Sequence, residues 1–564
     1  MAQARLIQLS QHLQPPHPAG GPYTVNDSPL GTPRPVRIVV IGAGASGINV
    51  LRTLRLQLPA RSWTAVAYEK NPRVGGTWFE NRYPGCRCDI PAHNYQFSWK
   101  PNPSWSAFFA PAEEIEEYLE EAWKEEAARN EAAAMRTECQ VTRAEWRERE
   151  AKWVVTVRDL KTGEVFDDRA DFLLNASGIL NNWKWPDIPG LQDFQGEVVH
   201  SANWPADFSC SGKTVAVIGN GSSGVQIVGA ILPPPPRLQV LATTKAAGIL
   251  NQIELDEHAN FTPRQIQKFK SDPDFYQKFV NAIEQEINTN FPIYLKDTPI
   301  QALAFDKLKS YMATSLNHDP RLCAALIPSF PVGCRRMVPD SGYLAALTHA
   351  KTRVVTDDPI ASAVPAGIQL ASGETVPLDA IVCATGFDVS FRPRFPLVGR
   401  GGVNLQDVWG GRGGEGRRPR AYMSCGVEGM PNYFTFLGPN APIGHGSVFT
   451  LTEHIAAYIT RIIHKCQTEG IATIEPSARA VAELGEHIDA FMPRTAWAGS
   501  CRSWYRGGTA DGPVTALHPG SRLHFFRMLR GFRGEDWVYT YERWMKGNRF
   551  GYLGNGFAVE EVEG

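Results

Sequence analysis

Twice in this chain a short apolar run ends in glycines spaced Gly-x-Gly-x-x-Gly and passes directly into a helical pattern. The first copy is the strand-like Val36–Ile41, then Gly42-Ala-Gly44-Ala-Ser46-Gly47, then apolar residues at helical spacing from Ile48 to Leu58. The second is Thr214–Ile218, then Gly219-Asn-Gly221-Ser222-Ser223-Gly224, and a helix to about Leu232, where Pro233–Pro236 ends it. Strand, glycine turn and helix in that order form the opening of a βαβ unit. The first glycine makes the tight turn, the second lets backbone approach a pyrophosphate, and the third lets helix pack on strand. The pyrophosphate then rests on amides at the positive end of the helix. A chain with two such units is constrained to an α/β fold with two dinucleotide sites.

The two sites differ where the ribose is read. Thr64 to Glu69 reads as the second strand of the first unit, and Glu69 lies 22 residues beyond Gly47. A carboxylate there accepts from ribose hydroxyls and repels a 2′-phosphate, which suits FAD. The matching place in the second unit carries Thr243, Thr244 and Lys245, 19 to 21 residues beyond Gly224. An uncharged and cationic end tolerates a phosphorylated ribose, so this site favours NADPH over NADH.

Phe172-Leu-Leu-Asn-Ala176-Ser-Gly178 and Asp379-Ala-Ile-Val-Cys-Ala384-Thr-Gly386 each read as a buried strand running into a glycine turn. Such turns suit crossings between nucleotide domains. The expected fold is α/β, with two intercalated Rossmann-like dinucleotide-binding domains and a helical insertion. Residues 1–35, rich in Pro, Gln, Gly and Ser, form an extended N-terminal arm. Residues 36–190 form the first part of the FAD-binding domain. Residues 191–378 form the NADP-binding domain, with the insertion at about 252–325, and 379–564 return to the FAD-binding domain and supply C-terminal substrate loops. Pro111 to Met135, rich in Glu and Ala, reads as a solvated helix.

Lys and Arg total 57 against 58 Asp and Glu, with no basic block to track phosphates, so nucleic acid is not an expected partner. No apolar run approaches the ~18 residues of a membrane span, and Met1 is not followed by a charged-then-apolar leader. The expected location is cytoplasmic. The ten cysteines are scattered, with only Cys86 and Cys88 closely spaced, which predicts reduced thiols with neither disulfides nor a metal site.

Immediately before the second glycine turn stands Phe194-Gln-Gly196-Glu-Val-Val-His200-Ser-Ala-Asn-Trp204-Pro205. With the two turns it resembles the FxGxxxHxxxWP signature of Baeyer–Villiger monooxygenases, and the resemblance extends from about Tyr23 to Tyr541. It implies a flavin- and NADPH-dependent enzyme inserting one oxygen atom of O2 next to a ketone carbonyl, through a C4a-peroxyflavin, to give an ester or lactone.

The resemblance also assigns residues. Gly75-Gly76-Thr77-Trp78 becomes a second pyrophosphate turn, and Tyr95 and Val141 join the FAD site. The segment Tyr83-Pro-Gly-Cys-Arg-Cys-Asp89 places the family's active-site aspartate on Asp89. Gly333-Cys-Arg335-Arg336 places its catalytic arginine on Arg336, with Arg335 where the family has lysine. Thr243 stands where the family has an arginine for the 2′-phosphate, leaving Lys245 and Arg335 as substitutes. His200 falls on a linker between the nucleotide domains and reads as a hinge anchor rather than a general base. Gly438-Pro-Asn-Ala-Pro-Ile-Gly444-His445 resembles a flavin-proximal loop. Cys501-Arg-Ser-Trp504-Tyr505 resembles a loop of fungal members acting on polyketide or terpenoid intermediates, with Trp504 as a substrate wall. A bulky, apolar ketone or a fused-ring compound is the expected substrate.

The chemistry gives Arg336 and Asp89 a reason to occur together. A permanently charged guanidinium keeps a peroxide anionic for attack on a carbonyl and stabilises the resulting oxyanion, while a carboxylate orients it. Taken singly, Asp89 reads more readily as a helix N-cap or turn acid and Arg336 as a surface ion pair; the matching family segments on both reverse that preference. Two other readings stay open: hydroxylation or heteroatom oxygenation on the same scaffold, and an FAD-binding cyclase or isomerase that has lost NADPH use. Trp204, Asp89 and Arg336 argue against the first, and Thr243 motivates the second.

Overall fold

A computed structural model describes residues 23–232, 252–256, 258–410 and 416–563. Val36–Ile41 is the centre of a five-stranded parallel sheet ordered Tyr433–Thr435, Phe172–Asn175, Val36–Ile41, Trp63–Tyr68, Ala133–Arg136. Ile38, Val39 and Val40 are fully buried because both faces are covered: Ile38 and Val40 face helices, while Val39 faces the strands carrying Trp153 and Val155. On one side the helix Ala45–Gln57 packs against Val448–Thr468 through Leu51, Leu54, Ile455 and Ile459.

A second, three-stranded parallel sheet is ordered Glu197–His200, Ala380–Cys383, Val215–Ile218. Thus Ala380–Cys383, where the sequence begins the returning part of the FAD-binding domain, is the central strand of the second unit. The return to the first sheet comes with Tyr433–Thr435. The two strand types look alike in sequence because each is apolar and runs into a glycine. Their sheet is decided by pairing partners far away in the chain.

Between crossings the chain builds antiparallel layers, with Leu397–Val398 added parallel at the edge of one of them. One sheet has the order Leu397–Val398, Cys139–Arg147, Lys152–Asp159, Val165–Ala170, and another Ile360–Val364, Gly367–Leu370, Thr375–Pro377. The Glu- and Ala-rich helix runs only from Ala112 to Ala127, and Met135 lies in the edge strand Ala133–Arg136. Helical spacing at the end of a run cannot be told from the start of a short strand.

The helical insertion starts each of its helices in the same way. Thr262, Asp272, Thr298 and Asp319 are N-caps, each followed by proline at the first helical position, for helices Pro263–Ser271, Pro273–Thr289, Pro299–Ser315 and Pro320–Leu326. Each cap accepts a backbone N–H three residues on, at 2.9 to 3.3 Å, worth about 1 kcal/mol apiece. The insertion docks through His93, whose ring is enclosed by Phe261, Phe269, Tyr276 and Phe279 at 5.0 to 5.6 Å.

The described part of the arm, from Tyr23, is packed rather than free. Leu30 and Val559 exchange backbone bonds with the far end of the chain (Leu30 N–H to Phe557 O, 2.7 Å; Val559 N–H to Leu30 O, 2.9 Å). Arg34 pairs with Asp171 at 3.0 Å. Thr243, Thr244 and Lys245 lie outside the described residues.

Candidate active site

Both glycine turns have the geometry that their spacing requires. Gly42 and Gly219 have φ of +98° and +112°, values that an L side chain rarely adopts. A Cβ on Gly47 would lie 2.1 Å from the Gly42 carbonyl oxygen, and one on Gly224 2.0 Å from that of Gly219. The third glycine of each turn therefore serves helix–strand packing. The middle glycines differ. A Cβ on Gly44 meets nothing nearer than Gly76 Cα at 3.5 Å, and one on Gly221 meets nothing within 4 Å. The protein leaves these two cradles open, and a side chain would fill the space that a pyrophosphate needs.

Gly42, Gly44, Ser46, Glu69, Gly76, Thr77, Trp78, Tyr95, Val141 and Trp504 all line one long cleft in the first unit. Gly47 stands behind it in the helix–strand contact. Glu69 sits at the end of its strand with each carboxylate oxygen accepting one backbone N–H, from Ala43 and from Asn71, both at 2.8 Å. Burial raises its pKa while these amides oppose the rise. Each oxygen keeps a further lone pair for a ribose hydroxyl. The cleft also includes Lys70, Gln140, Arg392 and Arg394, which no glycine spacing points to.

The segment before Asp89 bridges the two units. Tyr83 donates to Gln226 Oε1 at 2.9 Å, and Gln226 Nε2 donates to the Arg87 carbonyl at 3.0 Å, tying this segment to the helix Ser222–Ile231. Asp89 and Arg336, 247 residues apart, meet as a bidentate pair. Arg336 Nη2 donates to Asp89 Oδ1 at 2.7 Å, and Nε donates to Oδ2. The third guanidinium nitrogen, Nη1, donates to the Ile443 carbonyl at 3.0 Å. Burial opposes charge on Arg336, but the Asp89 carboxylate outweighs it and holds the pKa well above the ordinary arginine value.

Two tyrosines absent from the sequence assignment flank this pair. Tyr505 is buried, its pKa pushed up to about 12 by burial, and interacts with Arg336 and Asp89. Tyr294, also pushed up by burial, feels the same two charges. Because Trp504 lines the cleft and Tyr505 touches Arg336, this short turn joins the arginine to the cleft wall.

The thiol expectation is corrected here. Cys334 and Cys501 form a disulfide across 167 residues, while the other eight cysteines are free. It bonds the segment carrying Arg335 and Arg336 to the loop carrying Trp504 and Tyr505. Spacing in sequence carried no sign of it, because only the fold brings the two cysteines together.

Arg335 points to the second unit, where Nη2 donates to Asn220 Oδ1 at 3.4 Å beside Gly219, Gly221, Ser222 and Ser223. In the linker segment, Phe194 is buried, and a Cβ on Gly196 would lie 2.4 Å from the Asp379 carbonyl oxygen. His200 is stacked on Trp183 at 4.6 Å, its Nδ1 accepts the Ala202 N–H at 3.1 Å, and its Nε2 lies 3.3 Å from Thr385 Oγ1. Burial lowers its pKa to about 4, so it is neutral near pH 7 and packed between both linkers. Trp204 packs on Phe208 at 5.1 Å, whose N–H donates to Pro205.

Two Rossmann-type units with open glycine cradles, bridged by a charged pair, define an oxidoreductase fold built for two dinucleotides. The model of the NAD(P)-binding Rossmann-like domain matches residues 40–112. The chain is 36% identical to the FAD-binding monooxygenase tazF of Aspergillus terreus, over 96% of this chain and 95% of that one. It is 32% identical to a Baeyer–Villiger monooxygenase of Streptomyces coelicolor, over 88% and 91%. Cyclohexanone monooxygenase from Rhodococcus sp. Phi1, solved bound to NADP+, superposes with a TM-score of 0.73 at 26% identity, covering 90% of this chain and 100% of that one. The chain belongs to the family of FAD-binding monooxygenases that includes the Baeyer–Villiger enzymes.

Proposed function

We propose that this protein is an FAD- and NADPH-dependent Baeyer–Villiger monooxygenase that inserts one oxygen atom of O2 beside the carbonyl of a bulky ketone, giving an ester or lactone. The observation that carries this reading is the bidentate Arg336–Asp89 pair, linked to the cleft through Tyr505 and its neighbour Trp504. Bound FAD, reduced by NADPH, supplies the activation of dioxygen. The cradle at Gly44 and Gly76, with Glu69 at the ribose end, would hold it.

The protein's own groups perform the remaining work. Asp89 fixes the plane of the guanidinium through two parallel bonds, a geometry that lysine cannot reproduce. Arg336 stays charged and meets negative charge as it develops on the ketone oxygen, a term worth about 3 kcal/mol where such donors have been removed. Arg335 beside Asn220 supplies positive charge to the second site, in support of NADPH. His200 is neutral and enclosed, which suits a hinge anchor between the linkers rather than a base.

The test mixes holoenzyme with NADPH without oxygen, then admits 18O2 with a panel of large cyclic ketones. Flavin bleaching followed by an ester carrying one labelled atom is the expected result. Absence of bleaching with either nicotinamide, or bleaching and reoxidation with no labelled ester or lactone from any ketone, overturns it.

A further inference from the structure

The wall of the FAD cleft carries polar side chains that the reaction at Arg336 does not use. Lys70, Asn181, Arg392 and Arg394 all line this one cleft. They arrive from three places in the chain. Lys70 directly follows Glu69, just past the strand Trp63–Tyr68. Asn181 lies on the linker that leaves the first sheet after Phe172–Asn175, and the two arginines lie on the linker that leaves the second sheet after Ala380–Cys383. The linkers are joined to each other: the Asp388 N–H donates to the Asn182 carbonyl at 2.7 Å, and Trp183 pairs with Phe387.

Asn181 gathers these groups. Its Oδ1 accepts from Lys70 Nζ at 3.3 Å and from Arg394 Nη1. Lys70 also meets Glu80 at 2.8 Å, so its charge is offset. The arginines lack such a partner. Among the described residues neither forms an ion pair; Arg392 Nε donates to the Gln406 carbonyl at 2.8 Å, and Arg394 donates to Asn181. Burial lowers the Arg394 pKa, and the charges of Glu80 and Asp388 oppose the fall without cancelling it. The cluster is tied to the pyrophosphate cradle at two points. The Glu80 N–H donates to the Gly76 carbonyl at 3.0 Å, and Glu69, next to Lys70, accepts the Ala43 N–H at 2.8 Å.

FAD brings two phosphate charges into this cleft. A guanidinium matches phosphate oxygens in geometry, and unpaired cations between low-dielectric walls focus their attraction on an anion. We propose that Arg392 and Arg394 are cofactor-binding residues that supply, from the second linker, positive charge to the pyrophosphate of FAD, with Asn181 and Lys70 fixing Arg394 in place. The assignment rests on FAD occupying the first cleft, as in the proposed function. It makes the cofactor a tie between the first unit and the linker that leads out of the second.

The test dilutes the flavin-loaded holoenzyme and reads free FAD from its fluorescence, which gives a dissociation constant without turnover. At about 20 mM salt, Arg394→Gln should weaken FAD about tenfold and Arg392→Gln about threefold. At about 0.5 M salt, where screening shortens the reach of charge to a few ångströms, each loss should shrink below about twofold. Arg394→Lys keeps the charge and should recover most of the affinity, a response that lost packing alone would not give. Thermal unfolding of each variant in saturating FAD confirms folding, and Arg392→Gln decides the matter if Arg394→Gln does not fold. Affinity within about twofold of native in both Gln variants, a loss as large at high salt as at low, or no recovery in Arg394→Lys overturns the assignment. A native protein that purifies without FAD and takes up none would sink the cofactor reading, and this assignment with it, whereas the variants bear on the arginines alone.

Discussion

Arg336→Lys keeps a positive charge beside Asp89 and removes the fork that positions it. In the native protein the guanidinium makes two bonds to Asp89 and a third to the Ile443 carbonyl at 3.0 Å. A single ammonium at the end of a flexible stem keeps one of these in register. Two hydrogen bonds to or from charged groups contribute about 1.5 to 3 kcal/mol each when well enclosed. The Arg336 side chain is 23% exposed and Asp89 14%, so solvent takes back part of this, leaving about 3 kcal/mol. At 1.36 kcal/mol per decade that is a loss of roughly 150-fold in ester formation. The assay runs two measurements on one preparation: the rate of flavin bleaching by NADPH without oxygen, and the ester formed per NADPH consumed in air. Bleaching should stay within about twofold of native, because Arg336 does not touch the second glycine turn, while ester falls and hydrogen peroxide rises. Ester formation within threefold of native would refute the reasoning. So would equal loss of both steps, which would make Arg336 a residue of cofactor binding instead.

Arg335→Ala removes the charge beside Asn220 and should raise KM for NADPH about tenfold while leaving that for NADH nearly unchanged; equal changes for the two coenzymes would mean that Arg335 does not meet the 2′-phosphate. Gly221→Ala and Gly224→Ala should separate binding from folding: the first finds open space and should impair NADPH use with little change in unfolding midpoint, whereas the second collides with the Gly219 carbonyl and should destabilise the protein by several kcal/mol. Loss of the Cys334–Cys501 bond, by Cys501→Ser, frees a loop of 167 residues and should lower stability by up to about 5 kcal/mol in urea titrations; a midpoint insensitive to both mutation and reductant counts against the bond. His93 is held neutral by burial with a folded pKa of about 3 against 6.5 for an ordinary histidine. The unfolded chain therefore takes up the proton first, so its contribution is fully present above about pH 6.5 and is lost as pH falls toward 3. His93→Phe should flatten the acid loss of stability by about 1.4 kcal/mol per pH unit between pH 6 and 4, read from urea midpoints across that range, and an unchanged slope would contradict the enclosed, neutral ring.

The parts of this fold that could be read from sequence are those whose signal is local. Three glycines after a strand specify one turn, and Gly47 and Gly224 show why: each packs within van der Waals range of a carbonyl only five residues earlier. Glu69 at a strand end is equally local. The four capped prolines of the insertion, from Thr262 to Pro320, carry a signal that periodicity alone passes over. What stayed hidden depends on partners distant in the chain. Ala380–Cys383 and Phe172–Asn175 have the same pattern but join different sheets. Tyr294 and Tyr505 reach Arg336 from separate elements with no shared spacing.

The bond between Cys334 and Cys501 also carries information about time. Its two sulfurs lie 167 residues apart in the chain, one beyond the helical insertion and the other in the C-terminal loops, so the native bond spans both regions. Trapping free thiols at intervals during renaturation would therefore report when these two distant regions come within bonding reach, without any probe of the flavin.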